Sequence, residues 1–160
     1  MLKLHLGCGD IILDGYTNID LYNEKADVQD DIRTLQYDDN LIDEIYTSHV
    51  IEHFDYKEAF DILREWYRVL KPDGYIITET PDFLGSCIKF VNASSEEERI
   101  EMYGHFFAKP WLPGQTHKFL YTENQLKWTL EQCGFRNIYR VPALRYIGME
   151  NVCLKLVAQK

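Results

Sequence analysis

The stretch that decides the predicted fold is Lys3-Leu4-His5-Leu6-Gly7-Cys8-Gly9-Asp10. Its alternating leucines predict a short strand, which ends at two glycines separated by one residue. Glycine lacks a Cβ atom, so the backbone at Gly7 and Gly9 can turn tightly and let a ligand approach closely. In open α/β sheets, a strand that runs into such a turn commonly holds a nucleotide-sized cofactor. A plain strand-to-loop turn explains the pair equally well, so the neighbouring motifs have to decide.

The next motif is Thr17-Asn18-Ile19-Asp20-Leu21, which predicts a second short strand ending in an acid. A carboxylate at this place can accept hydrogen bonds from both hydroxyls of a ribose. The dinucleotide-binding pattern requires a third glycine and an acid roughly 20 residues further on. Here Ile12 occupies the third glycine position, and Asp20 follows Gly9 at about half that distance. The sequence therefore argues against a dinucleotide site.

Further motifs follow in a fixed order along the chain. They are Gly15-Tyr16, Asn18-Ile19-Asp20, Asp30-Asp31-Ile32, Ser48-His49-Val50-Ile51-Glu52-His53 and Val69-Leu70-Lys71-Pro72-Asp73-Gly74. Together with the glycine turn, they make the sequence similar to the class I S-adenosylmethionine-dependent methyltransferases, and most of all to small predicted bacterial members. The resemblance covers about residues 2–82 well and the remainder loosely. It implies a Rossmann-like fold, S-adenosyl-L-methionine as the cofactor and S-adenosyl-L-homocysteine as its product.

The resemblance also implies where the cofactor binds. Matching positions lie at the ends of the first four predicted strands: Leu6, Gly7, Cys8, Gly9, Asp20, Leu21, Asp31, Ile32, Ser48 and His49. In the family, an acid after the third strand commonly meets the adenine amino group, and the next backbone N–H meets a ring nitrogen. Asp31 and Ile32 match these roles best, and Asp30 is one register away. Without the resemblance, both acids would be interpreted as surface residues.

Strand and helix patterns alternate along the chain and end in two strands, whose short connection contains Gly148. Alternating elements with a terminal hairpin predict an α/β fold, a three-layer α/β/α sandwich. The predicted strands span residues 2–6, 17–21, 26–30, 42–47, 75–80, 135–141 and 152–158. The resemblance implies a seven-stranded, mostly parallel sheet in the order 3-2-1-4-5-7-6, with strand 7 antiparallel. The first crossover is too short for a full helix.

We predict a single methyltransferase domain over residues 1–160, with an insertion at about residues 82–121. The insertion is rich in aromatic and imidazole side chains: Tyr103, His105, Phe106, Phe107, Trp111, His117 and Tyr121. Aromatic walls with a few polar groups are typical of small-molecule pockets, and ligands in open sheets bind beyond the carboxyl ends of the strands. We therefore expect a lid or acceptor region. The alternatives are a satellite hydrophobic cluster and an oligomer contact.

A competing hypothesis comes from His49-Val50-Ile51-Glu52-His53, which matches the inverted zinc-peptidase signature. On a helix, His49 and His53 would share a face and could bind zinc, with Glu52 as the general base. This hypothesis leaves the glycine turn and the two cofactor acids without a role, and the sequence identifies no third ligand. We therefore predict no metal and keep a zinc hydrolase as the less favoured alternative. Glu52 and His53 are equally consistent with a structural pair.

The amino-acid composition narrows the kinds of binding partner and the cellular compartment that we expect for the protein. The net charge is −9, and the acids concentrated between Asn18 and Glu44 would repel a phosphate backbone, which argues against nucleic acid. The four cysteines are widely spaced and form no Cys-x-x-Cys pair, which favours reduced thiols and a cytoplasmic location. No apolar run approaches the roughly 20 residues of a membrane span. The chain enters its first strand directly, so we expect no signal peptide.

These observations together predict a cytoplasmic S-adenosylmethionine-dependent methyltransferase. Its expected acceptor is a small molecule or a glycan, and a homodimer is possible. His49 and His117 are the candidate catalytic residues wherever the acceptor must lose a proton. The alternative from another class is a catalytically silent cofactor-binding module that signals or scaffolds through its insertion.

Overall fold

A computed structural model of the protein describes residues 1–111, 114–143 and 151–160. Within these ranges one mixed sheet has six strands: β1 (Lys3–Leu6), β2 (Thr17–Ile19), β3 (Ile42–Ser48), β4 (Leu70–Pro81), β5 (Arg136–Val141) and β6 (Cys153–Gln159). Their order is β2-β1-β3-β4-β6-β5, and β6 runs antiparallel to both of its neighbours. The predicted hairpin turn at Gly148 and the insertion residues Leu112 and Pro113 lie outside the described residues.

Four α-helices accompany the described part of the sheet: α1 (Tyr56–Val69), α2 (Phe83–Val91), α3 (Glu96–Phe107) and α4 (Glu123–Gln132). Side chains before the helices fix where they begin, because they accept hydrogen bonds from otherwise unpaired N–H groups. Asp55 accepts from two backbone N–H groups of the first turn of α1. Thr122 and Gln125 form a reciprocal capping box at α4. None of the described helices is long and apolar enough to cross a membrane.

The hydrophobic core lies between the sheet and helices α1 and α4. The strand register puts Leu4 beside Ile45 and Ile45 beside Ile76, so these side chains share one face of the sheet. Trp66 of α1 is wholly buried against this face, and its indole Nε1 donates a 2.8 Å hydrogen bond to the carbonyl of Ile32. The indole therefore ties α1 to the loop that carries the predicted adenine-binding residues.

We expect Trp66→Ala to lower the free energy of unfolding by about 3–5 kcal/mol, the usual cost of truncating a buried aromatic side chain. Urea denaturation followed by circular dichroism measures the change. The matched control is Trp111→Ala, because the side chain of Trp111 is 75% exposed and surface substitutions usually stay within about 0.5 kcal/mol. Equal losses in the two variants would contradict this description of the core.

The α/β class is confirmed, but the predicted count of seven strands is wrong. The expected third strand, residues 26–30, makes only an isolated parallel bridge, which joins Val28 to Ile19. The neighbouring Asp27 carboxylate accepts hydrogen bonds from the backbone N–H and the side-chain amide of Asn18, at 2.7 and 2.8 Å. Such side-chain bonds compete with a strand ladder for backbone groups. The strand is therefore reduced to a single bridge at the edge of the sheet.

We expected a second layer of helices on the other face of the sheet, and the structure covers this face differently. No α-helix forms between β1 and β2 or between β2 and β3, and both connections are fully described. Polar and aromatic side chains occupy this face instead. Lys3 pairs with Glu44 at 2.6 Å, Tyr75 donates to Glu44 at 2.7 Å, and the rings of His5 and Tyr46 lie 5.2 Å apart. Connections as short as the first cannot contain a full helix.

The predicted insertion leaves and rejoins the sheet at one point. Asp82 and Tyr121 form an isolated parallel bridge, and the Phe83 N–H donates to the Tyr121 carbonyl at 3.0 Å. Between these residues, α2 and α3 pack on each other through aromatic rings, for example Phe90 on Phe106. The lid role of the segment, and the assignment of residues 1–160 to a single domain, stay predictions.

Candidate functional site

A cleft of about 600 Å³ opens at the carboxyl ends of β1, β2 and β3. All but one of the predicted cofactor residues line it: Gly7, Cys8, Gly9, Asp20, Leu21, Asp31, Ile32, Ser48 and His49. The exception is Leu6, whose side chain is wholly buried in the core. The fold thus brings together residues from four separate segments of the chain at the place where open sheets bind ligands.

Both glycines of the first turn have positive φ angles, +65° at Gly7 and +49° at Gly9. A Cβ atom at Gly7 would lie 2.5 Å from the side chain of Val50, so a residue other than glycine at this position would clash with Val50. A Cβ at Gly9 would meet no protein atom within 4 Å. Glycine at this position leaves open space beside the cleft, as a closely approaching cofactor requires.

Asp20 supports the glycine turn. Its Oδ2 accepts a 2.8 Å hydrogen bond from the Gly9 N–H, and its Oδ1 accepts from the N–H groups of Tyr22 and Asn23 at 2.8 and 3.0 Å. An ionised carboxylate has about four acceptor positions. Asp20 can therefore position the turn and still accept a hydrogen bond from a ligand hydroxyl in the cleft.

Asp31 forms an ion pair with Arg33, a residue that the sequence analysis missed. Nε and one terminal nitrogen of Arg33 reach the two carboxylate oxygens at 2.6–3.0 Å. The hydrogen bonds from this guanidinium lower the pKa of Asp31, although partial burial opposes the shift. Arg33 also approaches Glu58 at 3.4 Å, and all three residues line the cleft. An adenine amino group would have to share Asp31 with Arg33.

Ser48 is the last residue of β3, and His49 follows it with an unusual backbone. The φ angle of His49 is +56°, a left-handed conformation that is uncommon for residues other than glycine. Its Nδ1 lies 3.2 Å from Oε1 of Glu52. Burial favours the neutral imidazole and lowers the pKa of His49. Hydrogen bonds with Cys153 and with the Glu52 carboxylate have the opposite effect and raise this pKa to about 9.

The helix that the zinc-peptidase hypothesis requires does not form. His49 is left-handed, and Ile51–His53 is a single 3-10 turn. The two histidines of the motif therefore do not share one α-helical face. Within the described residues, two other groups could hold a metal ion, with ligand atoms within 4.8 Å of one another: His49, Glu79 and Cys153, and Glu52, His53 and His117.

A second cleft of about 400 Å³ adjoins the first and shares His49, His53 and Gln115 with it. Most of its remaining walls come from the insertion. His117 lines this cleft with a side chain that is only 5% exposed, and its Nδ1 donates to the His105 carbonyl at 2.9 Å. Burial lowers the pKa of His117, although the nearby Glu52 carboxylate opposes the shift.

Two of the aromatic residues singled out in the insertion line neither cleft. Trp111 is largely exposed and lines neither cleft, and Tyr121 is wholly buried in the core. The insertion meets the first cleft through four mostly polar residues that the sequence analysis did not single out: Gly114, Gln115, Thr116 and Lys118. The N–H groups of Lys118 and Phe119 fix this segment, because both donate to the Glu52 carbonyl.

Comparison with known proteins bears on the identity of this site. A profile for the family described as "Methyltransferase domain" matches residues 15–78. A SAM-dependent methyltransferase from Archaeoglobus fulgidus has a similar structure, with a TM-score of 0.66 and 20% identity over 99% of this chain and 85% of that one. Residues 15–78 thus match a methyltransferase-domain family, and the chain has the α/β Rossmann-like fold of these enzymes.

Two further solved structures agree with this assignment of the fold. SAM-dependent methyltransferases from Methanosarcina mazei have a TM-score of 0.65 and 21% identity over 99% of this chain and 91% of theirs. A protein from Thermotoga maritima described as a possible histamine N-methyltransferase has a TM-score of 0.66 and 14% identity over 99% of this chain and 82% of that one. At these identities the structural likeness shows the fold alone. No curated protein sequence matches the chain.

S-adenosylmethionine is the cofactor that this methyltransferase family and fold imply. The site fits such a group, because the glycine turn is open toward the first cleft and acids lie at the ends of adjacent strands. Cys8 also lines the cleft, but burial and the nearby Asp20 raise its pKa to about 11. Its thiol is therefore protonated at neutral pH and is a poor nucleophile.

Proposed function

We propose that the protein transfers a methyl group from S-adenosylmethionine to a small-molecule or glycan-like acceptor in the second cleft. The observation that supports this is the shared wall of the two clefts at His49 and His53. When bound, the cofactor supplies an electrophilic methyl group, whose transfer breaks the C–S bond, leaves the electron pair on sulfur and releases the acceptor's proton. A shared wall brings the reactants close together, which is the main contribution of a protein to such a step.

The residues of the first cleft would hold the cofactor. Asp20 would accept hydrogen bonds from the ribose, Asp31 and the Ile32 N–H would meet the adenine edge, and Ser48 and the glycine turn would face the methionine portion. Leu21 would pack beside the ribose. These roles are carried over from the family resemblance, and the positions of the residues in one cleft are consistent with them.

His49 and His117 are the proposed catalytic residues. Both line the second cleft, and His49 also lines the first, so both can reach an acceptor group placed between them. A side chain that helps to remove a proton from a reacting group contributes about 10²- to 10⁴-fold to the rate. We propose that His117, whose pKa is lowered by burial, accepts the proton of the acceptor's nucleophilic group, and that His49, whose pKa is raised to about 9, acts in its protonated form by orienting that group.

The proposed acceptor is small because of the size and charge of the site. A volume of about 400 Å³ lies in the range of small-molecule pockets. The net charge of −9 disfavours nucleic acid. We further propose a cytoplasmic location, with which four free cysteines agree. We also propose a homodimer, which light scattering in solution would detect as twice the mass of the chain.

The test is a screen of small-molecule and glycan acceptors, read out as S-adenosylhomocysteine formed together with an equal amount of methylated acceptor. We expect at least one acceptor to be methylated in repeated turnovers. A silent cofactor-binding module would bind S-adenosylhomocysteine in a calorimetric titration and turn over nothing in the screen. Binding together with turnover of a protein or nucleic acid alone would contradict the proposed acceptor class but not the methyltransferase activity.

A further inference from the structure

Glu52, His53 and His117 meet beside the shared wall of the two clefts. One ligand atom from each residue lies within 4.8 Å of the other two. Oε1 of Glu52 is 3.9 Å from Nε2 of His117, and the two imidazole rings are 5.0 Å apart. The cluster combines residues from the 3-10 turn after β3 with a residue of the insertion.

The Glu52 carboxylate is wholly buried. Its Oε2 accepts a 2.9 Å hydrogen bond from the Thr80 hydroxyl. Its Oε1 lies 3.2 Å from Nδ1 of His49 and 3.9 Å from Nε2 of His117. A buried carboxylate is costly unless positively charged or donor groups lie close to it. A metal ion at Oε1 would be a further such group.

Both histidines of the cluster are oriented as metal ligands usually are. Nδ1 of His53 lies 3.1 Å from the Thr116 carbonyl, and Nδ1 of His117 lies 2.9 Å from the His105 carbonyl. A carbonyl oxygen can only accept, so each Nδ1 carries the proton and each Nε2 keeps its lone pair. Histidines that bind metals commonly donate their other ring N–H to a backbone carbonyl in this way.

We propose that Glu52, His53 and His117 bind a divalent transition-metal ion such as Zn²⁺ or Mn²⁺ through Oε1 and the two Nε2 atoms. Two imidazoles and one carboxylate form a ligand set that leaves coordination positions open. Ligand atoms around such an ion lie about 3–3.5 Å apart, so side-chain rotations of about 1 Å would complete the site. The sequence analysis predicted no metal because it found no third ligand, and His117 supplies one from the insertion.

The ion would also define the acceptor class, and this step rests on the proposed function. An open coordination position beside the second cleft suits an acceptor hydroxyl, whose proton becomes more acidic when its oxygen binds a metal ion. The hydroxyl proton would pass to water and the oxygen would attack the methyl carbon. The C–S bond would break with its electron pair left on sulfur. We therefore assign hydroxyl-bearing acceptors, including sugars, to this site.

The test is a titration of the chelator-treated protein with Co²⁺, followed by the visible absorption of the ion. We expect one bound ion per chain. His53→Asn and His117→Gln should each weaken binding at least about 30-fold, since even outer contacts of a metal site contribute 10- to 100-fold. These two variants keep the buried Glu52, so failure to fold is less of a concern than in Glu52→Gln. Glu96→Gln removes an exposed acid of α3 and should leave binding unchanged.

Cys153→Ser is the control for the neighbouring group formed by His49, Glu79 and Cys153. Binding that is lost in Cys153→Ser, or that survives both histidine variants, would overturn the assignment, as would absence of bound Co²⁺. Calorimetric titration of the same preparations with S-adenosylhomocysteine separates the two proposals. If the cofactor binds but Co²⁺ does not, only the proposed metal site is wrong. If Co²⁺ binds but the cofactor does not, only the proposed function is wrong.

Discussion

Replacing His117 with alanine is expected to slow methyl transfer by about 10²- to 10⁴-fold, the range for groups that help to move a proton in the transition state. The imidazole lies in the second cleft, its ring is fixed by the His105 carbonyl, and its Nε2 faces Glu52. As a proton acceptor or as a ligand of the proposed ion, it would act on the acceptor's nucleophile. It does not line the first cleft, so the affinity for S-adenosylhomocysteine should stay within a few-fold.

Single-turnover transfer to an acceptor from the screen measures this effect. Trp111→Ala is the control within the insertion, because the exposed Trp111 side chain lines neither cleft and its loss should leave the rate nearly unchanged. Equal rates for His117→Ala and the wild-type protein would show that the insertion is only packing. The acceptor site would then have to lie elsewhere along the first cleft, next to residues 10–16.

Asp20→Ala is expected to weaken S-adenosylhomocysteine binding by about 1.5–3 kcal/mol, the scale of hydrogen bonds to charged groups. This corresponds to about a 10- to 150-fold higher Kd. Two effects contribute, since the carboxylate would accept from the ribose and also holds the N–H of Gly9 in place. Asp31→Ala should cost less, because an adenine edge can still reach water and Arg33 keeps its contact with Glu58.

The matched control for Asp20 is Asp27→Ala. Asp27 also accepts hydrogen bonds from backbone and side-chain N–H groups, those of Asn18, but does not line the first cleft. A variant that only loosens the backbone should therefore melt at a lower temperature without a comparable loss of affinity. If calorimetry gives the same Kd for Asp20→Ala and the wild-type protein, the ribose assignment is wrong.

Local patterns made much of the first cleft predictable. The positive φ angles of Gly7 and Gly9 and the position of Asp20 depend on residues that are close in sequence. The same local view failed for the third strand, where the Asp27 side chain competes for the backbone of Asn18. Propensity patterns contain no information about such a side-chain bond, so the predicted strand became a single bridge.

The second cleft was harder to predict because it depends on long-range contacts. His117 approaches Glu52 where the N–H groups of Lys118 and Phe119 donate to the Glu52 carbonyl. No periodicity relates positions so far apart along the chain. The aromatic content of the insertion was misleading for the same reason, since Trp111 faces solvent and the polar residue Gln115 lines both clefts.

Calorimetric titration of the wild-type protein with S-adenosylhomocysteine tests the central claim most directly, since every proposed role depends on the first cleft holding this cofactor. We predict saturable binding of one molecule per chain. The same titration with NAD, for which the dinucleotide motif is incomplete, should produce no saturable heat. A folded protein that binds no S-adenosylhomocysteine at millimolar concentration, or that binds NAD in its place, would contradict the account.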